Sequence, residues 1–327
     1  MIWEVILECT VVRMPGAQTH PILGRLSGAG LLVHGTEGFS VTHVNTLGMR
    51  NCEIRPKSAA VTRVLVLGDS FTEAYQVGDA QTYCARAGAA LRSRFGPGVE
   101  IVNGGRSGAS PAYYLHLAEF YRRAVQPDSV VIQLDQGDFT SELMDTGKPF
   151  AVVRNASGFG TVKNDAVVSE NPFTRLFPRL TMITSISTLR VASEKIAAMR
   201  VRSARAADDA AGSSASLTPV GRAALVWTIA ELQRRYPRLA LVYLPSINYS
   251  QPEAPPSEVE ALLARAAAHN GVPFVNMRSD FIATFQRTHQ PACGFNNSQP
   301  GYGHINALGH ALVAARVTEL AAARLAR

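Results

Sequence analysis

The sequence predicts an α/β fold in three layers, with helices on both faces of a central parallel sheet of about five strands. Three observations point to it. From residue 63 onward, short runs of Val, Ile and Leu alternate with longer amphipathic stretches. The short runs are apolar throughout rather than at every second residue, as strands covered on both faces are. Their order is strand, helix, strand, helix, which right-handed crossovers convert into a doubly wound parallel sheet.

The elements follow in chain order. Residues 1–60 hold many turn formers, among them Pro15-Gly16, Pro21 and several glycines, and read as an irregular N-terminal extension packed on a main domain of residues 61–327. The predicted strands are Arg63–Leu67, Val99–Asn103, Ser129–Leu134, Leu239–Leu244 and Pro273–Asn276. Between and after them, helices are predicted at Gln81–Phe95, Pro111–Val125, Pro219–Tyr236, Ser257–Asn270 and Ala307–Ala326. Thr218-Pro219 opens the third with a capping hydroxyl and a proline whose missing N–H costs nothing at a first helical position. The interval of about 145–217 breaks the alternation and reads as an insertion. It begins with a candidate hairpin, continues through a candidate helix near Ser185–Arg205 and ends in the Ala-, Ser- and Asp-rich stretch Ala207–Leu217.

Composition bounds the function. A chain of 327 residues that is 46% hydrophobic can bury a sizeable core. No apolar run approaches the roughly 18–20 residues that a membrane-spanning helix needs. Residues 1–12 carry Glu4 and Glu8 without a basic start, unlike a signal peptide, so the chain as given reads as cytoplasmic, with a periplasmic or envelope-associated location as the alternative. The net charge of +7 comes from dispersed basic residues. The denser stretch Arg190–Arg205 has no interleaved aromatics, which argues against nucleic acid, although a basic surface suits an anionic substrate. Cys9, Cys52, Cys84 and Cys293 are scattered, with neither CxxC pairs nor metal-ligand spacing, and read as free thiols. Phosphate-loop, HExxH, GxGxxG and GxSxG patterns are all missing, so neither a cofactor nor a metal is expected.

Four blocks carry chemistry, and most stand at the carboxyl end of a predicted strand, where open α/β sheets bind ligands. Gly68-Asp69-Ser70 follows the first strand and offers a candidate nucleophile at a turn whose N–H groups can face an anion. Asn103-Gly104-Gly105-Arg106-Ser107-Gly108-Ala109-Ser110 follows the second, with small residues that let backbone approach a ligand. Gln133-Leu134-Asp135-Gln136-Gly137-Asp138-Phe139 closes the third, and Gly303-His304-Ile305-Asn306-Ala307-Leu308-Gly309-His310 opens the last helix.

In these blocks, and in Val44-Asn45-Thr46-Leu47-Gly48-Met49-Arg50 before them, the chain resembles the SGNH hydrolases, or GDSL esterases, and among these the larger bacterial members with an N-terminal extension. The resemblance implies a flavodoxin-like sandwich and a serine esterase or acyltransferase working through an acyl-Ser70 intermediate. The implied substrates are O-acyl esters, above all O-acetyl esters of carbohydrate, so a small-molecule or glycan ester is the expected partner. It assigns Ser70 as nucleophile, His304 as general base, and the Ser70 and Gly108 N–H groups as oxyanion donors. Asp69 is assigned to fixing the turn, and His310 to structure.

Two positions depart from the family pattern. Gly137 stands where the family's oxyanion asparagine is expected, and Gly301-Tyr302 stand where an acid should precede the histidine; no Asp or Glu lies between Asp280 and His304. The expected compensations are a backbone carbonyl near Pro300 or Gly301 orienting His304, and Gln133 or Gln136 reaching the oxyanion. Without compensation the alternative is a catalytically weakened protein that binds a glycan or a partner protein through the same cleft.

Overall fold

The computed structural model describes residues 12–13, 17–164, 217–236 and 238–326. Its N-terminal part holds β1 (Val12–Arg13), β2 (Ala17–His20), β3 (Gly24–Ser27), β4 (Gly30–His34) and β5 (Ser40–Val44). These pair antiparallel as a three-stranded sheet β1-β4-β5 and a hairpin β2-β3. The expected irregular extension therefore carries short strands over residues 12–44, while residues 45–60 hold none. In β5, residues alternate buried and exposed, the period of a sheet covered on one face, and the turn formers punctuate the strands instead of replacing them.

The main sheet comprises β6 (Thr62–Gly68), β7 (Val99–Gly105), β8 (Ser129–Asp135), β11 (Leu239–Leu244) and β12 (Phe274–Asn276), all parallel, in the order β12-β11-β8-β6-β7. In order of succession this is 2-1-3-4-5, the flavodoxin-like arrangement, whose direction of winding reverses between β6 and β8. The antiparallel hairpin β9 (Phe150–Asn155) and β10 (Gly158–Lys163) stands where the insertion was expected to begin with one. The helix expected near Ser185–Arg205 lies outside the described residues.

Seven α-helices are described: α1 (Ser70–Glu73), α2 (Tyr83–Phe95), α3 (Pro111–Ala124), α4 (Pro219–Arg235), α5 (Glu258–His269), α6 (Arg278–Thr288) and α7 (Ala307–Leu325). Successive strand residues point to opposite faces and build two cores. Leu65, Leu67, Val130, Ile132 and Leu241 pack with α3, α4 and α5, while Val64, Val66, Val131, Ala240 and Val242 pack with α2, α6 and α7. The five predicted strands and five predicted helices are present within two residues at each boundary. The unpredicted helices are α1, a single turn, and α6, whose polar sequence hides the burial of Phe281.

This topology gathers the motifs. Pairing of Gly68 with Gly105 and of Leu244 with Asp135 aligns the carboxyl ends of neighbouring strands, so the segments after β6, β7, β8 and β11 leave the sheet at one edge.

Candidate active site

Ser70 is the first residue of α1, immediately after β6. Asp69 caps that turn: its carboxylate accepts the Phe71 N–H at 2.9 Å, satisfying a donor that the helix leaves open. Burial, and after it the neighbouring Asp135, holds the Asp69 carboxyl well above the usual carboxylate range. At the other end of α1, Ala74 adopts a left-handed conformation (φ 59°) and returns its N–H to Ser70 O at 2.9 Å.

Two side chains from elsewhere lock this turn. Gln133, wholly buried on β8, accepts the Asp69 N–H at 3.3 Å and the Thr72 hydroxyl at 2.9 Å, and a Cβ on Gly68 would run into both Thr72 and Gln133. Gln133 Oε1 therefore braces the turn, while its Nε2 is buried and meets no acceptor among the described residues. Arg50, buried in the N-terminal part, donates to Ala74 O, to Val77 O at 2.6 Å and to Asp79 at 2.8 Å. Its guanidinium satisfies carbonyls that a one-turn helix cannot pair internally.

His304 precedes α7, whose cap Asn306 accepts the Leu308 and Gly309 N–H groups. Its Nε2 lies 2.8 Å from Ser70 Oγ, although 234 residues separate the two. Its Nδ1 lies 2.5 Å from Glu37 Oε2, and its backbone N–H donates to Glu37 Oε1 at 3.1 Å. Glu37 is the acid that the local sequence lacked, and it replaces the expected carbonyl near Pro300 or Gly301. An ionised carboxylate only accepts, so Glu37 places the ring proton on Nδ1 and leaves the Nε2 lone pair for the Ser70 hydroxyl.

Glu37 stands in the loop between β4 and β5, and that loop is docked onto the histidine block. Asn297 donates to Gly35 O at 3.1 Å and to Gly38 O at 2.9 Å and accepts the Gly38 N–H at 2.8 Å, while Phe39 N–H donates to Gln76 O at 3.1 Å. Gly303 must be glycine twice over: its φ is +88°, and a Cβ would strike Glu37 Oε1. No spacing rule reaches across the 267 residues between Glu37 and His304. The missing acid beside the histidine was the one available sign that another segment supplies it.

The glycine block folds against the same turn. Arg106 N–H donates to Gly68 O at 2.9 Å, Asn103 Nδ2 to Thr72 O at 2.8 Å, and Ser107 N–H to Glu73 at 2.9 Å. Gly108 has φ +75° and is exposed. Neither its N–H nor that of Ser70 meets an acceptor among the described residues. Beyond Phe71, whose ring lies 5.0 Å from that of His304, a cavity of about 360 Å³ is lined by Gln136, Gly137, Thr140, Ile247 and Tyr302. A second cavity of about 120 Å³ adjoins Gly108, between Leu23, Arg106, Tyr113, Lys148 and Phe150. Gly137 brings no side chain to the first cavity, and Gln136 stands beside it. His310, the other histidine of the block, is buried, accepts the Tyr83 N–H at 3.2 Å and is held down to about 3 by desolvation, then by the Arg50 charge. Among the described residues, no cluster of three or more His, Cys, Asp or Glu is placed to hold a metal, and no helix is long and apolar enough to cross a membrane.

A doubly wound sheet whose carboxyl edge carries a serine against an imidazole, backed by a carboxylate, defines a hydrolase-type site. The chain belongs to the GDSL-like lipase/acylhydrolase family, whose model matches residues 66–312. Solved structures similar to it include a two-domain esterase active on acetylated mannans (14% identity, TM-score 0.43, covering 82% of this chain and 50% of that one). Others are a catalytic mutant of the Geobacillus stearothermophilus acetylxylan esterase Axe2 (14%, 0.43, 79% and 93%) and the lipase/acylhydrolase from Enterococcus faecalis (13%, 0.39, 79% and 94%). The chain thus spans half the length of the two-domain esterase. A sequence comparison with curated proteins finds no match.

Proposed function

We propose that the protein is a serine esterase or O-acyltransferase that cleaves O-acyl esters, with O-acetylated carbohydrate as the substrate class, through an acyl-Ser70 intermediate. The observation that carries this reading is the continuous chain of contacts from Ser70 Oγ through His304 to Glu37. In the first step Ser70 Oγ attacks the ester carbonyl carbon while its proton passes to His304 Nε2. Glu37 stabilises the resulting imidazolium, and the Ser70 and Gly108 N–H groups receive the charge that develops on the carbonyl oxygen. Collapse breaks the acyl–alcohol bond, and the leaving alkoxide takes the proton from Nε2. Water or a sugar hydroxyl then attacks the acyl carbon and gives its proton to Nε2; the acyl–Oγ bond breaks, Ser70 Oγ takes that proton back, and the acyl group leaves as the free acid or the new ester.

Carbohydrate as the leaving alcohol is supported by the lining of the larger cavity, which combines the polar Gln136, Thr140 and Ser246 with the aromatic Tyr302 and Phe71. The binding-only alternative rested on two missing groups, the acid and the asparagine; the contact of Glu37 with His304 supports the enzyme reading on the first, while Gly137 still brings no side chain for the second. The test is labelling with a fluorophosphonate and turnover of an aryl acetate by wild type, Ser70→Ala and His304→Ala. Labelling and turnover confined to the wild type are expected; a wild type no more active than Ser70→Ala would sink the proposal.

A further inference from the structure

Glu73 is a buried carboxyl group on the nucleophile turn that the proposed reaction leaves unused. It ends α1, is 5% exposed, and turns its carboxylate toward the glycine block rather than toward solvent. One oxygen, Oε2, accepts both the backbone N–H of Ser107 at 2.9 Å and the Ser107 hydroxyl. A carboxylate removed from water costs several kcal/mol unless donors replace the lost hydration. Burial pushes the Glu73 carboxyl up, while the Ser107 donors and the Arg106 charge oppose that shift.

The segment it grips is a tight turn over Arg106–Ala109. Ala109 N–H donates to Arg106 O at 2.9 Å, and Gly108, third in that turn, has φ +75°, the pattern of a type II turn. In such a turn the peptide between the second and third residues can rotate to the type I orientation, and the N–H of the third residue rotates with it. Here that N–H belongs to Gly108. The Arg106 N–H bond to Gly68 O fixes the first residue, but no backbone bond from Ser107 does the same for the second; Glu73 supplies that anchor.

We propose that Glu73 is a positioning residue: by holding Ser107 it sets the direction of the Gly108 N–H and ties the oxyanion turn to the helix that carries Ser70. This rests on the reading of Ser70 and Gly108 as parts of one acyl-transfer site. The group acts only through Ser107 and touches no reacting atom.

The experiment compares wild type, Glu73→Gln, Glu73→Asp and Ser107→Ala for aryl acetate kcat and KM, for affinity toward an arylboronic acid that forms a tetrahedral adduct with a serine hydroxyl, and for hydrogen exchange at the Ser107 and Gly108 amides. Glu73→Gln is expected to lower kcat by about 10–100-fold with KM within about twofold, and to weaken the boronate by the same factor, since losing an oriented oxyanion donor costs about 10²–10³. Ser107→Ala keeps the backbone bond and is expected to lose less than about fivefold, with Glu73→Asp between the two. Wild-type kcat and boronate affinity in Glu73→Gln, beside an inactive Ser70→Ala, would overturn the proposal and leave the esterase reading standing. Should the wild type show no Ser70-dependent turnover, the esterase reading fails by itself, and amide exchange decides the clamp: Ser107 protected in wild type and unprotected in Glu73→Gln upholds it, and equal exchange overturns it. A Glu73→Gln protein that does not fold passes the decision to Glu73→Asp and Ser107→Ala, whose kcat losses must come without a rise in KM.

Discussion

Replacing Glu37 by glutamine tests the centre of the site. The amide would keep the shape of the side chain and could still accept the Nδ1 proton, but it would carry no charge and could also present its own N–H, which favours the wrong imidazole tautomer. The magnitude follows from the geometry. With Nδ1 and Oε2 in contact at 2.5 Å, the charge centres of carboxylate and imidazolium are about 4 Å apart and attract by roughly 4 kcal/mol at an effective dielectric near 20. The Glu37 and His304 side chains are 20% and 26% exposed, so solvent screens part of this. About 3–4 kcal/mol is then at stake in the transition state, or about 10²–10³ in rate. The losses of on the order of 10⁴ that follow such a change in the serine-protease triad are larger, as a more deeply buried acid should give. The assay is aryl acetate hydrolysis at constant pH, with Ser70→Ala as background. A fall in kcat/KM carried by kcat, with KM near wild type, is expected. If Glu37→Gln stayed within about threefold of wild type while Ser70→Ala was inactive, Glu37 would not be the acid that serves His304.

Three further outcomes are expected. Asn297→Ala removes three hydrogen bonds to the Glu37 loop; at about 0.5–1 kcal/mol for each exposed bond, the urea midpoint should drop by the equivalent of about 1.5–3 kcal/mol and kcat should fall about 5–30-fold, and an unchanged kcat would show that the loop holds Glu37 without this clamp. Arg50→Met leaves the Ala74 and Val77 carbonyls without their buried donor and should cost about 2–4 kcal/mol in chemical denaturation; a loss under about 0.5 kcal/mol would contradict the capping role. The third concerns pH. Burial raises Asp69 and Asp138, with Asp135 the next cause for both, so the native state keeps protons that the unfolded chain releases. This contribution is complete below the ordinary carboxylate value of 3.8 and is lost as pH rises toward the raised values. His310, held down to about 3 from an ordinary 6.5, acts in the opposite sense, giving stability that is present above 6.5 and lost as pH falls. Asp138→Asn leaves His310 alone, so the difference between variant and wild-type midpoints from about pH 5 to 9 isolates the carboxyls, and the variant should lose less stability as pH rises. Parallel curves would refute the carboxyl assignment.

The sheet was legible because its strands are buried on both faces and so spell themselves as unbroken apolar runs, Val64–Leu67 and Leu239–Leu244 among them. The order 2-1-3-4-5 was not in those runs, since strand order depends on which faces the crossover helices cover. Ser70, Gly108 and His304 were legible because each stands in a compact block whose spacing is local. The reading of the N-terminal part as irregular failed where short strands are broken by glycine, as Gly30 and Gly38 punctuate β4 and β5. The contacts of Gln133 were not legible for a related reason: sequence places it near the end of a strand, but does not show that its amide oxygen accepts the Asp69 N–H.

The α/β layering and the short blocks that carry Ser70 and His304 are thus readable in the sequence, because hydrophobic period and short motifs are properties of neighbouring residues. The acid was decided only by tertiary structure. Glu37 has no signature among its neighbours and acquires a role when the β4–β5 loop, held by Asn297, brings its carboxylate against Nδ1 of a histidine from the far end of the chain. The clamp from Glu73 to Ser107 is of the same kind, since a hydrogen bond reads distance in space and leaves no mark in the spacing of the chain.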